Sequence, residues 1–290
     1  MIKDIVVNLS VGERASPAED YAISVAATLD AHVAGIAFLY YPIVPVADTG
    51  YTLVGLYGSR SGAGNIPPEM IEPQQRDNAA ATKAAIDRFA TASSHAGVSA
   101  EPLTLGASFA SAGDQFGRIA RYFDLSVVGQ AEPETSAIAE KIVEAALFDS
   151  GRPVIVVPYI QKAPLKLDRV MVCWDGSRAA ARAIADAMPF LERAGRVEVV
   201  IIANERGKQD EIEGADMGQH LARHGLKVEV NRMNYGNVDV ADALLSHAAD
   251  SDADFIVMGG YGHSRLREFV LGGATHSILH SMTAPVLMSH

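Results

Sequence analysis

Three glycines late in the chain, Gly259, Gly262 and Gly272, stand at the spacing Gly-x2-Gly-x9-Gly. Without a Cβ, such positions either let the backbone close on a phosphate-bearing ligand or admit tight turns with positive φ. Tyr261, His263, Ser264, Arg265 and Arg267 lie inside the run, and it leads into a helical pattern that starts near residue 272. The first amides of that helix, at Gly273 and Ala274, would add the positive field of a helix start. Anion binding built in this way needs no basic surface, which matters because the formal charge is −11. That charge argues against a general nucleic-acid binder, whose phosphate affinity comes from clustered Lys and Arg.

Other chemistry is less well supplied. His276 and His280 are four apart on one predicted helix, with His263 and His290 elsewhere in the same region, but neither a His-Glu-x-x-His pattern nor a cysteine pair completes a metal set. Asp175, Ser177 and His263 have the residue types of a hydrolase triad without the Gly-x-Ser-x-Gly elbow, and Ser177 after Asp-Gly reads better as a helix N-cap. Cys173 is the only cysteine, which excludes an intrachain disulfide and fits a reducing compartment. No apolar run reaches the ~20 residues of a membrane span, and no leader pattern opens the sequence, so a cytoplasmic protein that does not enter membranes is expected.

The elements that must position these groups repeat. The stretches DIVVNLSVG and RVMVCWDGS, DLSVVGQ and DFIVMGG, and RPVIVVP and APVLMSH occur in the same order in the two parts of the chain. Each is a short apolar run of the kind that forms a buried parallel strand. Ser10 precedes Asp175 by 165 positions whereas Gly129 precedes Gly259 by 130, so the first part carries 35 extra residues. A Pro- and Gly-rich insertion at about 41–75, whose apolar character comes from Tyr40, Tyr41, Tyr51, Leu53, Leu56 and Tyr57, accounts for them and reads as a lid, binding loop or disordered tip. In the second part, strands are expected at about 168–174, 197–203, 226–233, 254–258 and 284–289, with helices near 177–194, 208–224, 238–250 and 272–282. The alternation predicts α/β domains at 1–160 and 165–290, with any ligand at the carboxyl ends of the strands, near Asp175 and Gly259. The terminal strands are expected at a shared interface, because an edge strand carries unpaired backbone groups.

With WDGS ending one strand and GGYGHS ending another, the sequence resembles the universal stress protein family, two such domains in tandem. The resemblance implies an α/β fold of two doubly wound, five-stranded parallel-sheet domains of the adenine-nucleotide hydrolase-like type. It further implies a non-enzymatic stress-response protein that binds ATP or a related adenine nucleotide, accompanied by Mg²⁺ or Mn²⁺. The implied contacts are Asp175, Ala203, Met258, Gly259, Gly262, His263, Ser264, Gly272, Gly273, Ala274 and Thr275, with Asp175 on the adenine and the glycine loop around ribose and phosphates. Gly273 stands where the family has Ser or Thr, leaving Thr275 as the nearest hydroxyl. The first domain has Ser10 in place of the aspartate, and Glu132 and Glu134 where polyphosphate would lie, so it is expected to be a structural partner in an intrachain pseudo-dimer. A homodimer is left open. Two alternatives stand beside this reading: a non-nucleotide small-ligand or protein-interaction module using the apolar insertion, and a slow ATPase.

Overall fold

Short runs of branched apolar residues, buried on both sides, make the strands. The computed structural model describes residues 1–12, 16–41, 43–46, 50–53, 68–132, 136–202, 210–233, 238–260 and 273–290. In the first half, the main elements are β1 (Asp4–Asn8), α1 (Pro17–Leu29), β2 (His32–Tyr40), a hairpin of β3 (Ile43–Val46) and β4 (Gly50–Leu53), α2 (Pro68–Ala96), β5 (Ala100–Ala107), α3 (Ala112–Ala120), β6 (Leu125–Gly129), α4 (Ser136–Phe148) and β7 (Val154–Val157). The second half runs through β8 (Arg169–Trp174), α5 (Arg178–Leu191), β9 (Arg196–Ile202), α6 (Asp210–Arg223), β10 (Val228–Met233), α7 (Val240–Asp250), β11 (Phe255–Gly259), α8 (Gly273–Ser281) and β12 (Val286–Ser289). The elements of the second half match the sequence-based spans to within three residues at each end.

All the long strands join one ten-stranded sheet in the order β10-β9-β8-β11-β12-β7-β6-β1-β2-β5. In this sheet every pairing within a half is parallel, and the halves meet where β12 pairs β7 antiparallel, Leu287 opposite Ile155. The terminal strands therefore lie at the shared interface, and there they merge two sheets into one. One core includes Tyr21, Phe89, Phe190 and Leu221 from α1, α2, α5 and α6; the other includes Phe116, Ile142, Leu244 and Ile278 from α3, α4, α7 and α8. Each cluster draws on both halves, so the hydrophobic contribution to stability is not divisible at the seam. The antiparallel seam has a second effect: the carboxyl ends of the first half's strands face one end of the sheet and those of the second half face the other.

The insertion departs from the irregular segment expected. Its described parts are a hairpin, with Ile43 opposite Leu53 and Val46 opposite Gly50, and the opening turns of α2. Pro45 conceals the strand pattern in the sequence, yet a proline is tolerated because in a two-stranded ribbon each strand has a free edge. Helix α2 has 29 residues where its counterpart α6 has 14. Thr82, Ala85, Phe89 and Ser93 form its buried stripe at helical spacing, with Gly35 on β2 bare so that the Phe89 ring can approach. The Asn78 amide donates to Tyr40 O at the end of β2, so the turns before Asn78 extend beyond the sheet. Among the described residues no helix is long and apolar enough to cross a membrane.

Candidate functional site

The second half's candidate site lies between β8 and β11, where the strand order 10-9-8-11-12 reverses direction. Val172 pairs with Val257, which puts the ends of the two strands side by side. Past Trp174 the chain turns through Asp175 and Gly176. Gly176 has φ +73°, a left-handed conformation that explains why glycine follows the aspartate. Asp175 Oδ1 accepts the Ser177 amide at 2.9 Å, and Ser177 Oγ accepts the Ala180 amide at 3.0 Å to cap α5. Ser177 is thus a helix cap and not a nucleophile. The Asp175 side chain is exposed at this mouth and spends one oxygen on the turn.

Gly259 is bare for a reason internal to the fold. A Cβ there would come within 2.5 Å of Ala180 N and 2.7 Å of Ala179 C, so β11 can end only against the first turn of α5 if this position is glycine. Gly129 plays the same part in the first half, where a Cβ would meet Ser16 Oγ at 2.8 Å. At Gly273, by contrast, a Cβ would meet none of the described residues within 4 Å, and the residue is exposed at the start of α8. Ala274 is half-buried, whereas Met258 and Thr275 are buried, at 7% and 5% exposure. Thr275 is therefore buried, and Gly273 is the exposed residue at the start of α8. Ala203, Gly262, His263, Ser264 and Gly272 lie outside the described residues, as do Arg265 and Arg267.

The first half builds the same strand-turn-helix frame and closes it. Ser16 caps α1, and Glu19 sits in its first turn where α5 has Ala180. Glu19 Oε1 accepts the amides of Ser10 at 2.8 Å and Ser16 at 3.3 Å, while Arg88 Nη2 donates to Ser10 O at 3.0 Å. Glu19 is only 2% exposed, and burial raises its pKa against the lowering effect of those amides and of Arg88. A carboxylate and a guanidinium fill the place that Asp175 leaves open in the other half. Beyond them Tyr40 and Phe109 stack, ring centres 4.6 Å apart.

The remaining candidates resolve into structure. His276 and His280 are exposed and stack on each other along α8, while His290 Nδ1 lies 3.1 Å from Gly260 O. No group of three His, Cys, Asp or Glu among the described residues is placed to hold a metal. Burial, with Asp175 adding to it, pushes the Cys173 thiol up to about 12, so it is a poor nucleophile. Trp174 packs against the first core, and its Nε1 is buried without an acceptor among the described residues. A groove of about 450 Å³ at the amino ends of β8–β10 is remote from Asp175, and its charged groups are already partnered: Arg169 with Asp252, Arg196 with Glu229, and Glu198 with Asn231 and His247. Sequence reasoning missed Glu19 and Gln130. Glu19 was legible as the last member of Ser16-Pro-Ala-Glu19, a capping box, but nothing local signals that its carboxylate also reaches Ser10.

Comparison with known proteins places this geometry in context. Residues 166–290 match the sequence profile of the Universal stress protein family. Universal stress protein Slr1230 of Synechocystis is 26% identical over 172 residues, 57% of this chain and 57% of that protein, so the match spans little more than half of the relative's length. Universal stress protein YxiE of Bacillus subtilis is 26% identical over 42% of this chain and 97% of its own. A universal stress protein structure from Archaeoglobus fulgidus shares the fold over 99% of this chain and 95% of its own, with a TM-score of 0.72 at 16% identity. A functionally unknown protein of Pseudomonas aeruginosa, 14% identical, aligns over 99% of this chain and 92% of its own with a TM-score of 0.61. These structural likenesses speak to the fold alone: α/β, with a predominantly parallel sheet.

Proposed function

We propose that the chain is a stress-response protein of the universal stress type that binds ATP or a related adenine nucleotide in its second half. In this reading residues 1–160 and 165–290 are two domains, the first a structural partner to the second. The observation that carries it is the inequality of the two mouths: one frame is filled by Glu19 and Arg88, and its counterpart leaves Asp175 facing solvent. The groups present fit the ligand. A carboxylate is acceptor-only and suits the exocyclic amine of adenine, and Asp175 presents one at the exposed end of β8. The open start of α8 at Gly273 offers backbone N–H groups and a helix-end field to phosphate. A divalent cation, Mg²⁺ or Mn²⁺, would arrive with the phosphates. Binding, not turnover, is what these groups support.

The direct test is to denature the purified protein and chromatograph what it releases, then titrate ATP into wild type and Asp175→Ala by calorimetry. Released adenine nucleotide, or an ATP affinity that the substitution abolishes, is the expected result. No released nucleotide together with no heat of ATP binding would sink the proposal. A second reading concerns the other end of the sheet, where Phe109, 37% exposed, stacks on Tyr40 beside the hairpin and supports an apolar ligand or partner there. Phe109→Ser should then abolish binding of a hydrophobic fluorophore without altering ATP binding; unchanged fluorophore binding would count against it.

A further inference from the structure

The helix whose amino end would meet phosphate is held at its other end by a side chain from the opposite half. Gln130, the residue after β6, is 6% exposed and uses its whole amide. Its Nε2 donates to Leu279 O at 3.0 Å and to His280 O at 2.9 Å, and its Oε1 accepts the Tyr159 amide at 3.2 Å. Two carbonyl partners require the nitrogen and one amide partner requires the oxygen, so the network itself fixes the orientation of the side chain. Met282 N donates to Ile278 O, and the two carbonyls that follow are among those that a helix leaves without partners at its carboxyl end. Gln130 supplies both donors. Its own amide donates to Val157 O at 2.8 Å, which ties the cap to the end of β7.

The arrangement is one-way. Gly260 holds the corresponding place in the second half and, having no side chain, cannot cap α4 in return. A Cβ there would instead press on Leu147 of α4 at 3.0 Å. Helix α8 is nine residues long, so its ends are about 13 Å apart and a rigid tilt at the capped end is delivered to Gly273. Asp175 is carried by β8 and α5, whereas the hydrogen bonds of Gln130 go to α8, Val157 and Tyr159.

We infer that Gln130 is a positioning residue through which the first half sets the phosphate-facing end of α8 in the second. This rests on the nucleotide reading, and it makes the first half a contributor to affinity, beyond its part as a scaffold. The prediction is selective: losing the cap should weaken whatever is held through phosphate and spare what is held through adenine.

The test compares ATP and adenosine binding by calorimetry in wild type and Gln130→Met, which keeps the volume and loses the donors. Hydrogen exchange of the α8 amides is measured on both proteins without nucleotide. The expected result is an ATP affinity lowered about tenfold, adenosine affinity within about twofold of wild type, and faster exchange in α8 but not in α4. Should Gln130→Met not fold, Gln130→Asn, too short to reach both carbonyls, takes its place. Equal losses for ATP and adenosine, or faster exchange with unchanged ATP affinity, would overturn the inference while leaving the nucleotide reading intact. If wild type binds neither ligand, the nucleotide reading falls and this inference with it; exchange then reports only that Gln130 anchors α8.

Discussion

Replacing Gly259 by valine sets a Cβ 2.5 Å from a backbone nitrogen that cannot yield, and overpacking of that kind costs about 1–3 kcal/mol or more. Thermal melting should show a clear loss for Gly259→Val, whereas Gly273→Ala, whose Cβ meets none of the described residues, should stay within about 1 kcal/mol of wild type. Equal effects at the two positions would contradict the roles assigned to them. Glu19 makes a pH-dependent prediction. Burial lifts it above its ordinary value of 4.5, so the native state holds this proton more readily than the unfolded chain does. Its contribution to stability is therefore fully present below the unfolded value and is lost as pH rises through the raised native one. Relative to Glu19→Gln, wild type should lose stability as pH rises above the ordinary value of 4.5, and a difference in melting temperature that stays constant with pH would refute this. The turn at Asp175 and the Ser177 cap were legible because their neighbours in sequence carry the signal. Glu19 was only partly so, and Gln130 not at all, since their partners are set by the tertiary fold.

At the scale of elements, the α/β alternation was legible because buried parallel strands read as apolar runs and the helices between them keep a helical period. The Ser177 cap belongs here: Ser177→Ala should cost about 1 kcal/mol, read as a shift in denaturant midpoint at unchanged slope. An unchanged midpoint would mean that the Asp175 turn alone sets the start of α5. The hairpin and the early turns of α2 were not legible. Pro45 breaks the first strand's pattern, and Pro68 through Asn78 supplies charges, amides and a second proline, Pro73, where an apolar stripe would have announced a helix. Those turns run past the edge of the sheet, so they had no core-facing period to display.

For the whole molecule, the recurrence of strand patterns in the same order was plain, but the way the two halves of the sheet join was only partly so. An antiparallel seam between β7 and β12 has no sequence signature beyond two apolar terminal strands. Because both cores cross that seam, calorimetric unfolding should show one transition, and two resolved peaks would show that the halves fold independently. Residues 165–290 expressed alone would expose the edge of β12, and sedimentation should find them paired with themselves; a well-folded monomer would mean that the edge is protected in another way. The seam also makes the molecule bipolar. Asp175 and the start of α8 are at one pole, and the hairpin, Tyr40 and Phe109 are at the other, so the hairpin is no cover for the candidate nucleotide site. A client docked on the hairpin and a nucleotide at the far pole would never compete for space. Either could inform the other only through the slab between them, as a relay and not as a plug.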